Sequence, residues 1–197
     1  IADWKRSAES GLQLPGLRER FFALVQEQEF QNWYFKIARE LALKFGMPLE
    51  DMVIQKQPTP RIMLPGDYGT AWHTDFWFGH GETFRTVWIP VVGVNENSSF
   101  AYVSSPQQND ALLERVSANP NLLCDGLDLS GVSIDRVVPP ESSYAVFSSD
   151  LLHGSIENSS GVLRLSFDFR FGLATDHTSN KSRNDFFEVR DGKLLPM

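Results

Sequence analysis

The chain has 197 residues, enough for one sizeable domain and too few for two comfortable ones. Hydrophobic residues make up 42% and charged residues 22%, the balance of a folded protein rather than a disordered one. Acidic residues outnumber basic ones 25 to 18, so nucleic acid and anionic membrane are not expected partners. No apolar run approaches the ~20 residues of a membrane helix. A single cysteine, Cys124, excludes an internal disulfide and a thiolate zinc cluster. It reads as a small buried hydrophobe in a reducing, cytoplasmic setting. Ile1-Ala2-Asp3-Trp4 is neither a signal peptide nor an initiator start, so the expectation is a longer natural chain.

The front of the chain is helical. Pro15 opens a stretch with Leu17, Phe21, Leu24 and Val25 at helical spacing. Phe30, Trp33, Ile37, Leu41 and Phe45 follow, mostly in steps of four, until Gly46 and Pro48 stop them. From Val53 the texture is short β-branched and aromatic runs between turn clusters. Strands are expected at 60–64, 70–78, 85–93, 99–104, 132–138, 143–148, 153–157 and 162–171. One helix, about 107–117, interrupts them. The tail, 172–197, is polar, with a turn at Asp191-Gly192. Eight short strands suggest a sandwich or jelly roll. The domain plan is one unit over 1–197: helical support in 1–50, a β core in 53–171, and the tail.

Strand 162–171 alternates cleanly. Leu163, Leu165, Phe167, Phe169 and Phe171 point one way, and Arg164, Ser166, Asp168 and Arg170 the other. The polar face is either solvated or lines a lumen whose arginines need an anionic ligand. Of the four histidines, His73 stands two residues before Asp75, so on a strand both project from one face. His153 follows a predicted strand. Two His and one carboxylate are the donor set of a facial non-heme Fe(II) site. Arg164 comes eleven residues after His153, with Ser166 beside it. A guanidinium fork plus a hydroxyl suits a carboxylate.

His-x-Asp, a distal His, then Arg-x-Ser resembles the Fe(II)/2-oxoglutarate-dependent dioxygenases. The stretches 79–102 and 144–171 are similar to the phytanoyl-CoA-hydroxylase-like branch. The segment 66–79 resembles, more narrowly, StrG-type proteins of streptomycin-type biosynthesis. Ser104-Ser105-Pro106-Gln107 departs from the Pro-Gly-Ser-His turn common in the wider branch, so its acyl-CoA site is not carried over.

The resemblance implies a double-stranded β-helix (a cupin-like jelly roll) with N-terminal supporting helices. It implies catalytic iron on His73, Asp75 and His153, with Arg164 and Ser166 on the far carboxylate of 2-oxoglutarate. Fe(II), 2-oxoglutarate and O2 then hydroxylate a small molecule, and the StrG-like match suggests a sugar, aminocyclitol or other polar metabolite. Asp75 argues against halogenation, because halogenating members lack that carboxylate. Ligating histidines must be neutral, so metal affinity is expected to fall below about pH 6. The alternatives are a cupin-type metalloenzyme without 2-oxoglutarate, which has no need of Arg164-x-Ser166, and a catalytically silent jelly-roll binding module.

Trp77, Arg61 and Arg85 are further substrate candidates, the first as a pocket wall. Arg170 meets substrate, assists 2-oxoglutarate, or pairs with Asp168. Trp72, Phe76 and Phe78 are expected in the core, His80 in a solvated turn, and His177 exposed. The partner is a small-molecule substrate, and nothing in the sequence excludes a homo-oligomer. Replacing Asp75 by Ala is expected to leave the fold largely intact.

Overall fold

A computed structural model describes residues 14–120, 122, 126–176 and 187–189. Cys124, His177 and the Asp191-Gly192 turn lie outside these residues. No helix among the described residues is long and apolar enough to cross a membrane.

Helices α1 (Leu14–Gln26) and α2 (Gln28–Lys44) form where the apolar spacing placed them. Gly46, at φ 69°, ends α2: Gly46 N–H donates to Leu43 O and Met47 N–H to Ala42 O, so the last carbonyls are satisfied. The buried stripe of α2 is Tyr34, Ala38, Leu41 and Ala42; of the expected row, Leu41 lies in it and Phe30 and Ile37 pack against it partly buried. Trp33 and Phe45 are nearly half exposed, at the margin of that stripe, with the Trp33 ring still 6.0 Å from that of Phe167.

The β core comprises β1 (Met52–Gln55), β2 (Thr59–Met63), β3 (Arg85–Val92), β4 (Phe100–Val103), β5 (Ile134–Arg136), β6 (Ala145–Ser148), β7 (His153–Ser155), β8 (Arg164–Leu173) and β9 (Phe187–Val189). Helix α3 (Pro106–Ala118) interrupts it, with the Ser105 hydroxyl accepting from Gln108 N–H at its start. The larger sheet runs β6-β3-β8-β1-β9, with β2 also on β8, and the smaller runs β5-β4-β7. All pairings are antiparallel.

The fold is therefore mainly β, two antiparallel sheets backed by helices. Phe21, Tyr34, Ala38 and Leu41 from the helices pack on Ile54, Val87, Ile89, Phe167, Phe169 and Phe171 of the larger sheet. The other face of that sheet, with Thr86, Trp88, Arg164, Asp168 and Arg170, lines a cavity. The smaller sheet closes it with Phe100, His153, Gly154 and Ser155. The alternation along β8 is thus real, and its polar face looks into a lumen rather than solvent. The one irregularity near it falls on β3, between Pro90 and Val92, so the parity of β8 is intact.

Residues 70–78 are not one strand. Thr70 to His73 runs antiparallel to β7, through Ser155 N–H to Thr70 O at 2.8 Å and a reciprocal His73–His153 pair. The Thr74 hydroxyl then caps a 3-10 helix, Asp75–Phe78, which Gly79 ends at φ 84°. As a result Phe76 and Phe78 are about half exposed rather than core. β1 was not foreseen. It is buried at every residue, so it shows no alternation to read.

Candidate metal and 2-oxoglutarate site

The two histidines are placed by backbone. His73 N–H donates to His153 O at 2.8 Å, and His153 N–H to His73 O at 2.9 Å. This reciprocal pair sets the imidazoles side by side, with centroids 4.3 Å apart. Each ring is then fixed in the same way: Nδ1 of His73 meets Ala71 O at 2.7 Å, and Nδ1 of His153 meets Leu151 O at 2.9 Å. A carbonyl only accepts, so each Nδ1 carries the proton and each neutral ring keeps a lone pair on Nε2. This is how metal-binding histidines are oriented.

Burial, and then the neighbouring His73, pushes the pKa of His153 down to about 4; burial also lowers His73. Both are neutral at pH 7. Both shifts are downward, so proton competition for metal should set in at lower pH than for ordinary histidines, as metal titrations from pH 8 to 4 would show.

Asp75 sits at the start of the 3-10 helix, 2% exposed. Its Oδ1 accepts from Arg170 Nε at 3.0 Å and Arg170 Nη2 at 2.8 Å, and its Oδ2 from the Thr86 hydroxyl. Burial alone would raise its pKa. Arg170 foremost overcomes that and holds the carboxyl well below the usual carboxylate range. Among the described residues no group of three His, Cys, Asp or Glu side chains is drawn together as a formed metal cage. The donors nonetheless fit a ferrous ion in kind: two Nε2 lone pairs and an ionised carboxylate.

Four charges alternate in one chain of contacts. Arg61 Nε donates to Asp168 Oδ2 at 2.6 Å, Arg170 Nη1 to Asp168 Oδ1 at 2.6 Å, and Arg170 Nη2 to Asp75 Oδ1 at 2.8 Å. Burial works against the charges of Asp168 and Arg170. Their partners win, lowering the pKa of Asp168 and raising that of Arg170. The chain Arg61–Asp168–Arg170–Asp75 is neutral as a whole.

Arg164 stands outside it. It is 3% exposed, lines the cavity, and forms no ion pair among the described residues. Its Nη1 donates to Ser166 Oγ at 3.3 Å, Nη2 lies against Met63 Sδ, and Nε has no hydrogen-bond partner. Trp88 covers it, with Cζ 5.9 Å from the ring centroid. Burial depresses its pKa to about 10, the charge of Arg61 adding to the effect. Trp88 Nε1 also donates to Ser166 Oγ, at 3.1 Å. With both lone pairs of that hydroxyl taken, its proton is left to donate.

Of the sequence candidates, the cavity brings together Arg61, His73, His153, Arg164 and Arg170. Asp75 and Ser166 stand behind its wall, joined to Arg170 and Arg164 respectively. Arg170, left between three roles, pairs with Asp168 and also with Asp75, which places it close to the histidines. Trp77 is not in the wall: it packs with Val103, Leu112 and Leu152. Its place on a 3-10 helix, not a strand, turns it away from His73. Arg85 is spent on Glu82 O and Phe84 O, with the Phe45 ring 5.4 Å away. His80 is fully buried beside Phe84 rather than solvated. Because Asp75 is the partner of a buried arginine, its loss is no longer expected to leave stability intact.

Thr86, Trp88, Phe100 and Phe147 also line the cavity and were missed. The alternation of β3 puts Thr86 and Trp88 on one face, a signal that was available.

No protein-family profile matches the chain, and no curated protein does. Solved structures match by shape. The structure of EvdO2 from Micromonospora carbonacea var. aurantiaca superposes with a TM-score of 0.52 at 14% identity, over 79% of this chain and 64% of that one. Its complex with 2-oxoglutarate gives 0.51 at 14%, over 80% and 65%. The chain shares its fold with EvdO2. AviO1 from Streptomyces viridochromogenes Tue57 gives 0.50 at 18%, over 80% and 62%. The chain spans less than two thirds of the length of each of these structures.

Proposed function

We propose that the chain is a double-stranded β-helix oxygenase of the Fe(II)/2-oxoglutarate-dependent kind, hydroxylating a small polar metabolite. The observation that carries this reading is Arg164: a buried guanidinium facing the cavity, with an unpartnered Nε and no ion pair among the described residues. Burying such a charge is costly unless an anion meets it. The dicarboxylate 2-oxoglutarate supplies that anion, and the structure of EvdO2 was solved with the same compound.

In this reading His73 and His153 present Nε2, and Asp75 presents a carboxylate kept ionised by Arg170. Arg164 and the proton of the Ser166 hydroxyl receive the far carboxylate of the cosubstrate. Phe100, Phe147 and Trp88 form the apolar part of the wall and limit water around the reacting groups. The bound iron would supply the oxidant: 2-oxoglutarate, O2 and a C–H bond are converted to succinate, CO2 and a C–OH bond. The cupin-type reading without 2-oxoglutarate leaves Arg164 with no ion pair among the described residues, Asp168 being taken by Arg61 and Arg170.

Because Arg61 is matched by Asp168, the cavity holds no second unmatched cation among the described residues. That favours a neutral, hydroxyl-bearing substrate over an anionic one. The test is incubation with Fe(II), ascorbate and 2-oxoglutarate, following succinate. Formation in excess of a protein-free control is expected even without substrate. Its absence, in a folded and metal-loaded protein, counts against the reading.

A further inference from the structure

Thr86 on β3 and Arg170 on β8 are directly opposed cross-strand partners, and both grip one carboxylate, that of Asp75. A carboxylate has about four lone-pair directions. Arg170 Nε and Nη2 take both on Oδ1, and Thr86 takes one on Oδ2. One direction on Oδ2 is left. The fork is itself braced: Arg170 Nη1 donates to Asp168 Oδ1 at 2.6 Å and lies 3.4 Å from Gln55 Oε1, while Arg61 holds the other oxygen of Asp168.

We infer that Thr86 and Arg170 are positioning residues for metal binding, aiming Asp75 so that it offers one lone pair and attaches at a single point. This rests on the reading of Asp75 as a metal ligand. One-point attachment matters because a carboxylate binding through both oxygens occupies a further coordination position, and a facial site needs three left open. The arrangement depends on fork geometry and not on charge alone. A lysine at 170 keeps the cation but cannot cover two lone pairs of one oxygen in a fixed plane.

The experiment is calorimetric titration of the metal-free protein with Mn(II), with no turnover involved. Arg170→Lys and Thr86→Val are compared with Thr86→Ser, which restores the hydroxyl. Loss of such supporting hydrogen bonds typically weakens metal binding roughly 10- to 100-fold. That fall is expected in Arg170→Lys and in Thr86→Val, with Thr86→Ser staying within about threefold of the unaltered protein. Thr86→Val is nearly isosteric, so it tests the idea even if Arg170→Lys does not fold. Unchanged Mn(II) affinity in folded Thr86→Val overturns the inference while leaving Asp75 as a ligand. No Mn(II) binding by the unaltered protein overturns the reading of the triad, and this inference with it.

Discussion

Replacing Arg164 by Met is expected to weaken 2-oxoglutarate binding at least 30-fold while raising the melting temperature of the ligand-free protein. The two effects have opposite signs for one reason. Without a ligand, Arg164 is a buried cation with an unpartnered Nε and no ion pair among the described residues, and burial already depresses its pKa to about 10. Removing it relieves a desolvation cost. With ligand bound, the same charge is the counter-ion of a carboxylate. Losing one partner of such a buried pair costs about 2–5 kcal/mol, and 2 kcal/mol is already about 30-fold. Arg164→Lys should also bind poorly, because an ammonium lacks the fork and is a shorter reach from Ser166. Calorimetry for the cosubstrate and thermal melts without it measure the two halves separately. A fall in both affinity and ligand-free stability would make Arg164 a structural residue.

The second large effect is at Asp75. Asp75→Ala removes the proposed metal ligand and also strips Arg170 of one of its two carboxylates, both pairs being buried. Breaking a buried pair from one side costs about 3–5 kcal/mol. At about 2–4 °C per kcal/mol for a chain of this size, the melting temperature should drop by roughly 6–20 °C. Turnover should vanish. The double variant Asp75→Ala/Arg170→Met removes the stranded cation and leaves Asp168 with Arg61. It should regain much of the lost stability and none of the activity. Activity returning with stability in the double variant would mean that Asp75 serves the fold alone.

The sequence shows β8 and its two faces because strict alternation over nine residues, 163–171, has few other meanings. It shows the helices because apolar residues recur in steps of three and four. On α2 it marks Leu41, Phe30 and Ile37 correctly but overweights the large Trp33 and Phe45, which are nearly half exposed, and passes over small Ala38 and Ala42, which are fully buried. The site is legible as residue types and not as geometry. His73 and His153 are 80 positions apart in sequence, and only the chain crossing beside β7 makes them neighbours. The Asp75–Arg170 pair spans 95 positions and leaves no local trace. Thr74 and Gly79, a cap and a left-handed stop, were the local signals that Asp75 begins a helical turn, and they outweighed the β-like run around them.

One cavity is expected to bind 2-oxoglutarate through a metal held by the histidine pair and through Arg164. Anaerobic calorimetric titration of 2-oxoglutarate into the protein, with and without Fe(II), tests it most directly. Binding at least tenfold tighter with Fe(II), and lost in Arg164→Met, is the result expected. Equal binding with and without the metal, or no binding with it, would contradict the claim.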